Sequence, residues 1–248
     1  MTDTHAPAQL ELRGITKRFG AATVLCGIDL TVARGRVMAV VGPNGAGKTT
    51  LIKSMLGLTR PDGGEIAMRG DRIDRDPAYR SRIGYMPQIA RYPDNLTGRE
   101  LLAMLRDLRG HGATVDEELI DRFHLDEQLD KPLRVLSGGT RQKVNAAMAF
   151  LFTPELMILD EPTAGLDPLS SSLLKDKILA ERSRGRTFII TSHIMNELEE
   201  LADDVAFLLD GRLRFAGPLY ELQAVTHQPT LERAIATLML RQQVEVAA

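Results

Sequence analysis

A glycine-rich segment between a predicted strand and a predicted helix has the residue types needed to bind phosphate. Its glycines let backbone N–H groups converge on the α and β phosphates of a nucleotide, while Lys48 can reach the β and γ oxygens and Thr49 can coordinate Mg²⁺. Because the motif lies in the strand-to-helix setting that this chemistry requires, we predict a nucleotide site rather than a structural turn. The segment consists of Gly42, Pro43, Asn44, Gly45, Ala46, Gly47, Lys48, Thr49 and Thr50.

Two acidic residues at the end of an apolar segment form a second candidate site. Residues 156–159 are uninterruptedly apolar, and Asp160 and Glu161 follow them directly. Such a run predicts a strand buried on both faces, and the carboxyl ends of parallel strands commonly border a ligand crevice. There Asp160 could hold Mg²⁺, directly or through water, and Glu161 could orient and deprotonate a water that attacks a γ-phosphate. The pair alone would be typical of a solvated loop, but the nearby phosphate-binding motif favours catalysis.

A third motif narrows the class of nucleotide-binding protein. Residues 136–142 read Leu-Ser-Gly-Gly-Thr-Arg-Gln ahead of a predicted helix, and three further motifs are Tyr-Met-Pro-Gln at 85–88, Ala-Gly-Leu-Asp at 164–167 and Thr-Ser-His at 191–193. In this order, with the phosphate loop and the acidic strand, they resemble the ABC (ATP-binding cassette) ATPase family over nearly the whole chain. The signature loop of that family commonly has Gln where this chain has Thr140. Since the phosphate-facing serine and glycines are kept, we expect altered contacts rather than inactivity.

The resemblance implies roles for residues around the nucleotide. It implies that Phe19 stacks on adenine, that Gln88 senses Mg²⁺ and the attacking water, and that His193 contacts the γ-phosphate and helps align Glu161. Taken alone, Phe19 could merely pack in a β segment, Gln88 could be solvated, and a histidine at a strand end is commonly structural. The implied catalytic group is Lys48, Gln88, Glu161 and His193. The implied metal contacts are Thr49, Gln88 and Asp160.

Other residues are implied to act on a neighbouring subunit. Ser137, Gly138 and Gly139 lie at a predicted helix start, where free N–H groups and the helix dipole favour an anion, and in this family they bind the γ-phosphate of the opposite subunit's ATP. Asp167 resembles an acid that connects the two sites of a dimer, although Asp-Pro by itself indicates a helix start or turn. Because one chain has one phosphate loop and one signature loop, the resemblance implies a homodimer that encloses two ATP molecules.

Strand-length apolar segments alternate with helical patterns and must position these residues. The alternation predicts an α/β fold with a mostly parallel central sheet. Residues 10–13, 24–32 and 65–68 are separated by glycine and Asp-Gly turn signals and predict a small antiparallel sheet that flanks this core. The strands predicted for the central sheet are residues 37–41, 83–86, 156–159, 187–191 and 205–209.

Residues 89–153 predict an inserted helical subdomain. Thr97 and Glu100 have capping-box spacing ahead of a leucine-rich helix, and a second helix is expected near Gly139 with a buried apolar stripe. We therefore expect an ABC nucleotide-binding domain at 1–216, with the α-helical subdomain inserted at about 89–153, and a short C-terminal helical appendage at 217–248. The appendage has a weak amphipathic pattern and no assignable chemistry.

The composition argues against several other classes of function. With 31 basic and 33 acidic residues, the net charge of -2 gives no bulk reason to bind nucleic acid or anionic lipid. No apolar run reaches the roughly 18 residues of a membrane span, and residues 1–7 lack the pattern of an export signal, so we expect a cytoplasmic chain without transmembrane insertion. His5, His111, His124 and His227 lack ligand spacing, so Mg²⁺ is expected to arrive with ATP rather than occupy a protein-built site.

The resemblance implies a Mg-dependent ATPase subunit that energises a separate integral membrane permease from the cytoplasmic face. Residues 164–168 and the short single-unit chain resemble the ABC-2 class, which mostly serves exporters. Residues 81–88 and 136–144 more narrowly resemble the copper-processing ATPases that mature nitrous oxide reductase. The alternative is a soluble ABC ATPase that acts in cofactor or complex assembly, with the same site and no membrane partner. A P-loop kinase or GTPase would not explain the signature loop.

Overall fold

The computed structural model describes residues 8–73, 77–110 and 114–247. The segment 1–7, on which the expectation of no export signal depends, lies outside the described residues, as do His5 and His111. Among the helices of the described ranges, none is both long enough and apolar enough to cross a membrane.

Ten strands and nine α-helices are described, with short 3-10 helices at Pro77–Arg82 and Leu133–Val135. The strands are β1 (Ala8–Phe19), β2 (Ala22–Ala33), β3 (Val37–Val41), β4 (Gly63–Met68), β5 (Asp71–Arg72), β6 (Ile83–Met86), β7 (Leu156–Asp160), β8 (Thr187–Thr191), β9 (Asp204–Leu209) and β10 (Arg212–Pro218). The helices are α1 (Lys48–Met55), α2 (Gly98–Arg109), α3 (Glu118–Arg122), α4 (Asp126–Leu129), α5 (Gly138–Phe150), α6 (Pro168–Ser183), α7 (Met195–Leu201), α8 (Leu219–Thr226) and α9 (Leu231–Ala247).

A six-stranded sheet in the order β10-β9-β3-β8-β7-β6 forms the centre of the fold. The pairs from β9 to β6 are all parallel, and β10 is antiparallel to β9. This confirms the predicted α/β class and all five predicted central strands; β7 extends one residue further, to Asp160, and β9 starts one residue earlier, at Asp204. Every residue of β3, β7 and β8 is buried, as continuous apolar sequence requires when both faces of a sheet are covered.

Alternate residues of the central strands pack into two different hydrophobic clusters. Val37 and Val41 of β3 face a cluster that includes residues of α2 through α9, whereas Met38 and Val40 face one built with β1, β2, β4 and α1. The period of two along each strand therefore separates the layers, with the small sheet and α1 on one side and the other helices on the opposite side.

The small sheet has the order β2-β1-β4-β5, and all its described pairs are antiparallel, as predicted. Its first two strands are longer than the sequence pattern indicated, because β1 continues beyond Arg13 through an irregularity in its register. Gly14 lies at that point with φ +59°, a left-handed conformation that favours glycine. The bulge breaks the apolar alternation, so the sequence pattern ends at Arg13 although β1 continues to Phe19.

The helical region after β6 begins with the predicted capping box. Thr97 accepts from the backbone N–H of Glu100, whose carboxylate accepts from the N–H of Thr97. The stripe expected for the second helix is buried too: Val144 of α5 is 1% exposed, and Leu151, directly after α5, is 0% exposed. Residues of α5 join the hydrophobic cluster that covers one face of the central sheet. The helix therefore packs in the same cluster as β7, the strand that ends at Asp160.

The two C-terminal helices pack against the rest of the fold. Leu231 and Ala234 of α9 are fully buried, Ile235 is 6% exposed, and Leu222 of α8 is fully buried. All four belong to the same hydrophobic cluster as β3 and β8. These two helices therefore share the main core rather than forming one of their own.

Candidate active site

A cavity of about 320 Å³ opens at the carboxyl ends of β3, β6, β7 and β8. The structure therefore brings the phosphate-loop residues together with the acidic pair, Gln88 and His193, which lie far apart along the sequence. The lining residues are Val24, Pro43, Asn44, Gly45, Gly47, Lys48, Thr49, Thr50, Gln88, Asp160, Glu161 and His193.

The phosphate-loop geometry leaves the start of α1 free to receive an anion. Gly47 precedes Lys48 with φ +107°, and no side chain caps the first turn of the helix. A Cβ at Gly47 would lie 2.9 Å from the carbonyl oxygen of Val24 and 3.0 Å from Cδ2 of Leu25, so both conformation and space demand glycine. The first residues of α1 line the cavity, so the helix start, with no side-chain cap, and the positive end of its dipole favour phosphate there.

The Lys48 side chain folds back over the loop. Its Nζ donates to the carbonyl oxygens of Gly42 at 2.6 Å and Pro43 at 3.1 Å. Partial burial lowers the pKa of Lys48, and the nearby carboxylates of Glu161 and Asp160 partly offset that effect. The ammonium is therefore held beside the cavity by neutral acceptors that a phosphate oxygen could replace.

The acidic pair is held by β8 and by the residues that follow it. Asp160 Oδ1 accepts from the Thr191 hydroxyl at 2.5 Å. One carboxylate oxygen of Glu161 accepts from the backbone N–H of His193 at 3.1 Å, and the other lies 3.3 Å from His193 Nε2. The two carboxylates are 8% and 7% exposed, so their orientation is fixed by the protein rather than by solvent. A carboxylate fixed in this way at a cavity wall could act as a general base.

Oxygen-bearing side chains at the cavity suit a magnesium ion that arrives with a nucleotide. The hydroxyl of Thr49, the amide of Gln88 and the carboxylate of Asp160 all line the cavity. Mg²⁺ prefers hard oxygen ligands and is commonly bound by one or two carboxylates together with substrate phosphates. The donor set therefore fits the predicted metal, with Asp160 as its charged member.

The signature residues lie outside this cavity lining. Ser137 caps α5, accepting from the backbone N–H of Thr140 at 3.1 Å, and the hydroxyls of the two residues lie 2.9 Å apart. Gly138 has nothing within 4 Å of an added Cβ, whereas a Cβ at Gly139 would lie 2.9 Å from the carbonyl oxygen of Gly165. Thr140 thus keeps the Ser137 hydroxyl engaged, and the exposed start of α5 lies outside the lining of the chain's own cavity.

Asp167 and Phe19 also lie outside the cavity lining. Asp167 caps α6, accepting from the N–H and hydroxyl of Ser170 at 2.9 and 2.7 Å, and its Oδ2 lies 2.9 Å from Lys143 Nζ. These contacts, that from Lys143 first, hold the pKa of Asp167 well below its usual range. Phe19 ends β1 with 53% of its surface exposed and Lys17 Nζ 5.3 Å from its ring centroid. The helix-start role of Asp167 is observed; the ligand role of Phe19 stays a prediction.

Three residues at or beside the site were missed as candidates from the sequence. Val24 lines the cavity, the Thr191 hydroxyl contacts Asp160, and Gln142 donates to the carbonyl oxygens of Glu161 and Pro162 at 3.3 and 3.2 Å. Thr191 lies inside a recognised motif, so its polar type at the end of an apolar strand was an available signal. Gln142 ends the signature motif at 136–142, but the sequence does not indicate its contact, because its partners are backbone carbonyls about 20 residues away.

Comparison with known proteins agrees with this geometry. The family model described as ABC transporter matches residues 25–164, more than half of the chain. This chain belongs to the ABC transporter ATP-binding family. Among its relatives, Nod factor export ATP-binding protein I of Ralstonia nicotianae is 34% identical over 88% of this chain and 69% of the relative. The daunorubicin/doxorubicin resistance ATP-binding protein DrrA of Streptomyces peucetius is 37% identical over 90% of this chain and 69% of the relative.

The fold of this ABC ATPase is shared with solved cassettes. The ATP-binding subunit of an ABC transporter superposes with a TM-score of 0.87 at 30% sequence identity, covering 93% of this chain and 99% of the other. The phosphate loop, β7 and the start of α5 all fall within the residues matched by the family model, whereas Phe19, Asp167 and His193 lie outside them.

Proposed function

We propose that this ABC ATPase binds and hydrolyses Mg-ATP as one half of a homodimer and thereby energises a separate membrane-spanning exporter. The observation that carries the proposal is the separation of two phosphate-binding features within one chain. The cavity has the phosphate loop and both carboxylates but lacks Ser137 and Gly139, which lie at the start of α5. A second copy would supply the missing donors.

The chemistry follows from the groups at the cavity. On nucleotide binding, the Lys48 ammonium exchanges the carbonyl oxygens of Gly42 and Pro43 for phosphate oxygens. The carboxylate of Glu161, held by His193, accepts a proton from water as the water oxygen bonds to the γ-phosphorus and the bond to the ADP oxygen breaks. Mg²⁺, held by Thr49, Gln88 and Asp160, would neutralise charge on the phosphates. Loss of the γ-phosphate would remove the bridge between subunits and reopen the dimer.

An apolar groove along β6 and α2 supports a membrane partner. A cavity of about 250 Å³ lies between β6 and α2, lined by Tyr85, Tyr92 and four apolar residues of α2. Two of these, Met104 and Leu108, are 51% and 82% exposed. Large apolar side chains exposed together commonly mark a binding surface. Burial raises the pKa of Tyr92 to about 12. We propose that a short apolar helix of the permease docks here and so holds the ATPase at the cytoplasmic face of the membrane.

Export is favoured by the relatives, whose names refer to Nod factor export and to resistance against daunorubicin. The resemblance of residues 164–168 to the ABC-2 class agrees with this direction. Neither relative is named for copper or for nitrous oxide reductase, and the site has no feature that selects copper. The narrower resemblance to the nitrous oxide reductase maturation ATPases therefore stays a prediction.

The decisive experiment uses a Glu161→Gln variant, which should bind ATP without hydrolysing it. Because closure needs the γ-phosphate and opening needs its loss, we expect an ATP-dependent dimer by light scattering and an ATPase rate reduced about 10²- to 10⁴-fold. Affinity capture of this variant from detergent-solubilised cells with Mg-ATP should recover a multi-span membrane protein.

A second substitution separates the partner from the ATPase. Leu108→Glu places a charge in the groove, so it should abolish capture of the membrane protein while ATP-dependent dimerisation persists. Normal ATP turnover by Glu161→Gln would contradict the hydrolytic mechanism. Recovery of soluble assembly factors alone, with dimerisation intact, would instead support the assembly ATPase.

A further inference from the structure

The backbone of Glu161 is strained at the point where its carboxylate must be aimed. Its φ is +53°, a left-handed conformation that is costly for a residue with a Cβ. Such a conformation persists only where surrounding contacts over-determine it. Glu161 is also only 7% exposed, so those contacts come from the protein.

Two sets of contacts hold Glu161 in this conformation. From the β8 side, the backbone oxygen and the hydroxyl of Thr191 accept from the Glu161 N–H at 3.1 and 3.2 Å, while His193 donates to its carboxylate. From the opposite side, the Gln142 amide donates to the carbonyl oxygens of Glu161 and Pro162. Rotation of the strained peptide would move the Glu161 carbonyl away from Gln142 and the carboxylate away from His193 together.

Gln142 is itself well placed for a fixed contact. It is 9% exposed and lies on α5, one turn beyond Ser137 and Gly139. Two neighbouring contacts tie the same helix to the segment after Glu161, since Gly139 lies against the Gly165 carbonyl and Lys143 pairs with Asp167. The start of α5 and residues 161–167 therefore form one connected unit, in which Gln142 is the contact nearest the carboxylate.

The geometry assigns Gln142 as a positioning residue for Glu161. Its amide holds the strained Glu161 peptide so that the carboxylate stays aimed at the attacking water, and it links that peptide to the helix whose first residues bind the partner subunit's nucleotide. The assignment rests on the proposed role of Glu161 as general base. Gln142 itself touches neither ATP nor water; it acts through Glu161.

The test is Gln142→Met, which keeps the length of the side chain and removes both hydrogen bonds. Since displacement of a catalytic group by about 1 Å can cost 10²-fold, we expect kcat to fall about 10- to 100-fold. The KM for ATP and the affinity for a non-hydrolysable ATP analogue should be unchanged, because no nucleotide contact is lost. Gln142→Asn, whose shorter amide cannot reach the carbonyls, should show the same split if the methionine variant folds poorly. Gln128→Met, on the remote helix α4, is the matched control and should keep the wild-type kcat.

A double-mutant cycle with Glu161→Gln separates positioning from general damage to the fold. If Gln142 acts through Glu161, adding Gln142→Met to Glu161→Gln should cost little further single-turnover activity. A wild-type kcat in both Gln142 variants, or an equal loss in both backgrounds, would overturn the assignment. Normal turnover by Glu161→Gln alone would overturn the proposed function instead, and that result is read before Gln142 is changed.

Discussion

The two ends of the central parallel sheet treat charged residues differently. At the amino ends of the strands, acids and bases pair with one another: Arg36 with Asp204 at 2.6 Å, and Arg82 with Glu155 at 3.1 Å. At the carboxyl ends, the hydrogen bonds found for Lys48 in the described residues all go to backbone carbonyls. Lys48 lines the same cavity as Asp160 and Glu161. The charges at the amino ends neutralise one another, whereas those at the carboxyl ends line a cavity that can receive a ligand.

The amino end includes an ion cluster that ties the helical region to the core. Lys177 of α6 is fully buried, and its Nζ donates to Asp116 at 2.6 Å, Glu118 at 2.7 Å and Glu181 at 3.2 Å. Burial alone would lower the pKa of Lys177, but these three hydrogen bonds outweigh it and raise the pKa. Glu181 also accepts a hydrogen bond from Arg184, so its carboxylate is paired with two cations.

This contrast indicates that the amino end contributes stability and the carboxyl end contributes chemistry. Charged groups that are not neutralised by an opposite charge lower stability, and proteins keep them where function needs them. Matched substitutions at the two ends should therefore separate the two properties.

The largest effect should come from Lys177→Met at the amino end. Removal of the buried ammonium leaves three carboxylates without their shared cation, so the free energy of unfolding should fall by about 3 kcal/mol. Urea unfolding followed by circular dichroism measures this loss. Lys175→Met, on the same helix as Lys177, breaks a more exposed pair with Glu200 of α7 and should cost less than about 1 kcal/mol. Equal losses in the two variants would contradict the idea that the cluster is a stabilising feature.

The next effect should come from Lys48→Met at the carboxyl end, which should impair ATP binding and leave stability unchanged. Loss of a charge-assisted contact to phosphate should weaken ATP binding about 10- to 100-fold. The free energy of unfolding should not fall, because the half-buried ammonium binds only loop carbonyls. A titration with a fluorescent ATP analogue and a urea curve measure the two quantities. Lys53→Met, exposed on the same helix, should change neither; a destabilised Lys48→Met protein would contradict the contrast.

The smallest effect should come from Glu155→Gln, the same substitution as Glu161→Gln at the opposite end of the sheet. Burial opposes ionisation of Glu155, but hydrogen bonds from Arg82, Gln9 and Arg69 dominate and lower its pKa to about 2. Because the side chain is one-third exposed, we expect a loss of only about 1 kcal/mol of unfolding free energy at pH 7 and no change in kcat.

The pH dependence of that loss has a definite sign. A lowered pKa in the folded state stabilises the protein fully above the unfolded value of 4.5, and the contribution is lost as the pH falls toward about 2. The difference in unfolding free energy between wild type and Glu155→Gln should therefore shrink over that range. A difference that stays constant between about pH 3 and pH 7 would show that Glu155 stabilises the fold by something other than its charge.

Many of the candidate catalytic groups and the strands of the central sheet could be predicted from sequence, because each consists of a short run of consecutive residues. The phosphate loop, the acidic pair and five buried strands each occupy consecutive residues whose types and spacing have a local physical meaning. The extension of β1 past Gly14 was missed because a bulge disrupts the alternation on which the prediction depends. Leu108 of the leucine-rich helix α2 is 82% exposed, whereas Leu101 and Leu102 are buried, because a helical period alone does not show which apolar positions are covered by the fold.

The sequence by itself determined which groups this protein has for chemistry: a phosphate loop, two carboxylates, a histidine after a strand and a signature loop. Only the tertiary structure decided how they are held, because those contacts join residues that are distant in sequence. Gln142 contacts the Glu161 backbone, His193 fixes its carboxylate, and Thr191 binds Asp160. Local patterns report burial and backbone preference, whereas the direction of a hydrogen bond across the fold depends on the packed geometry of both partners.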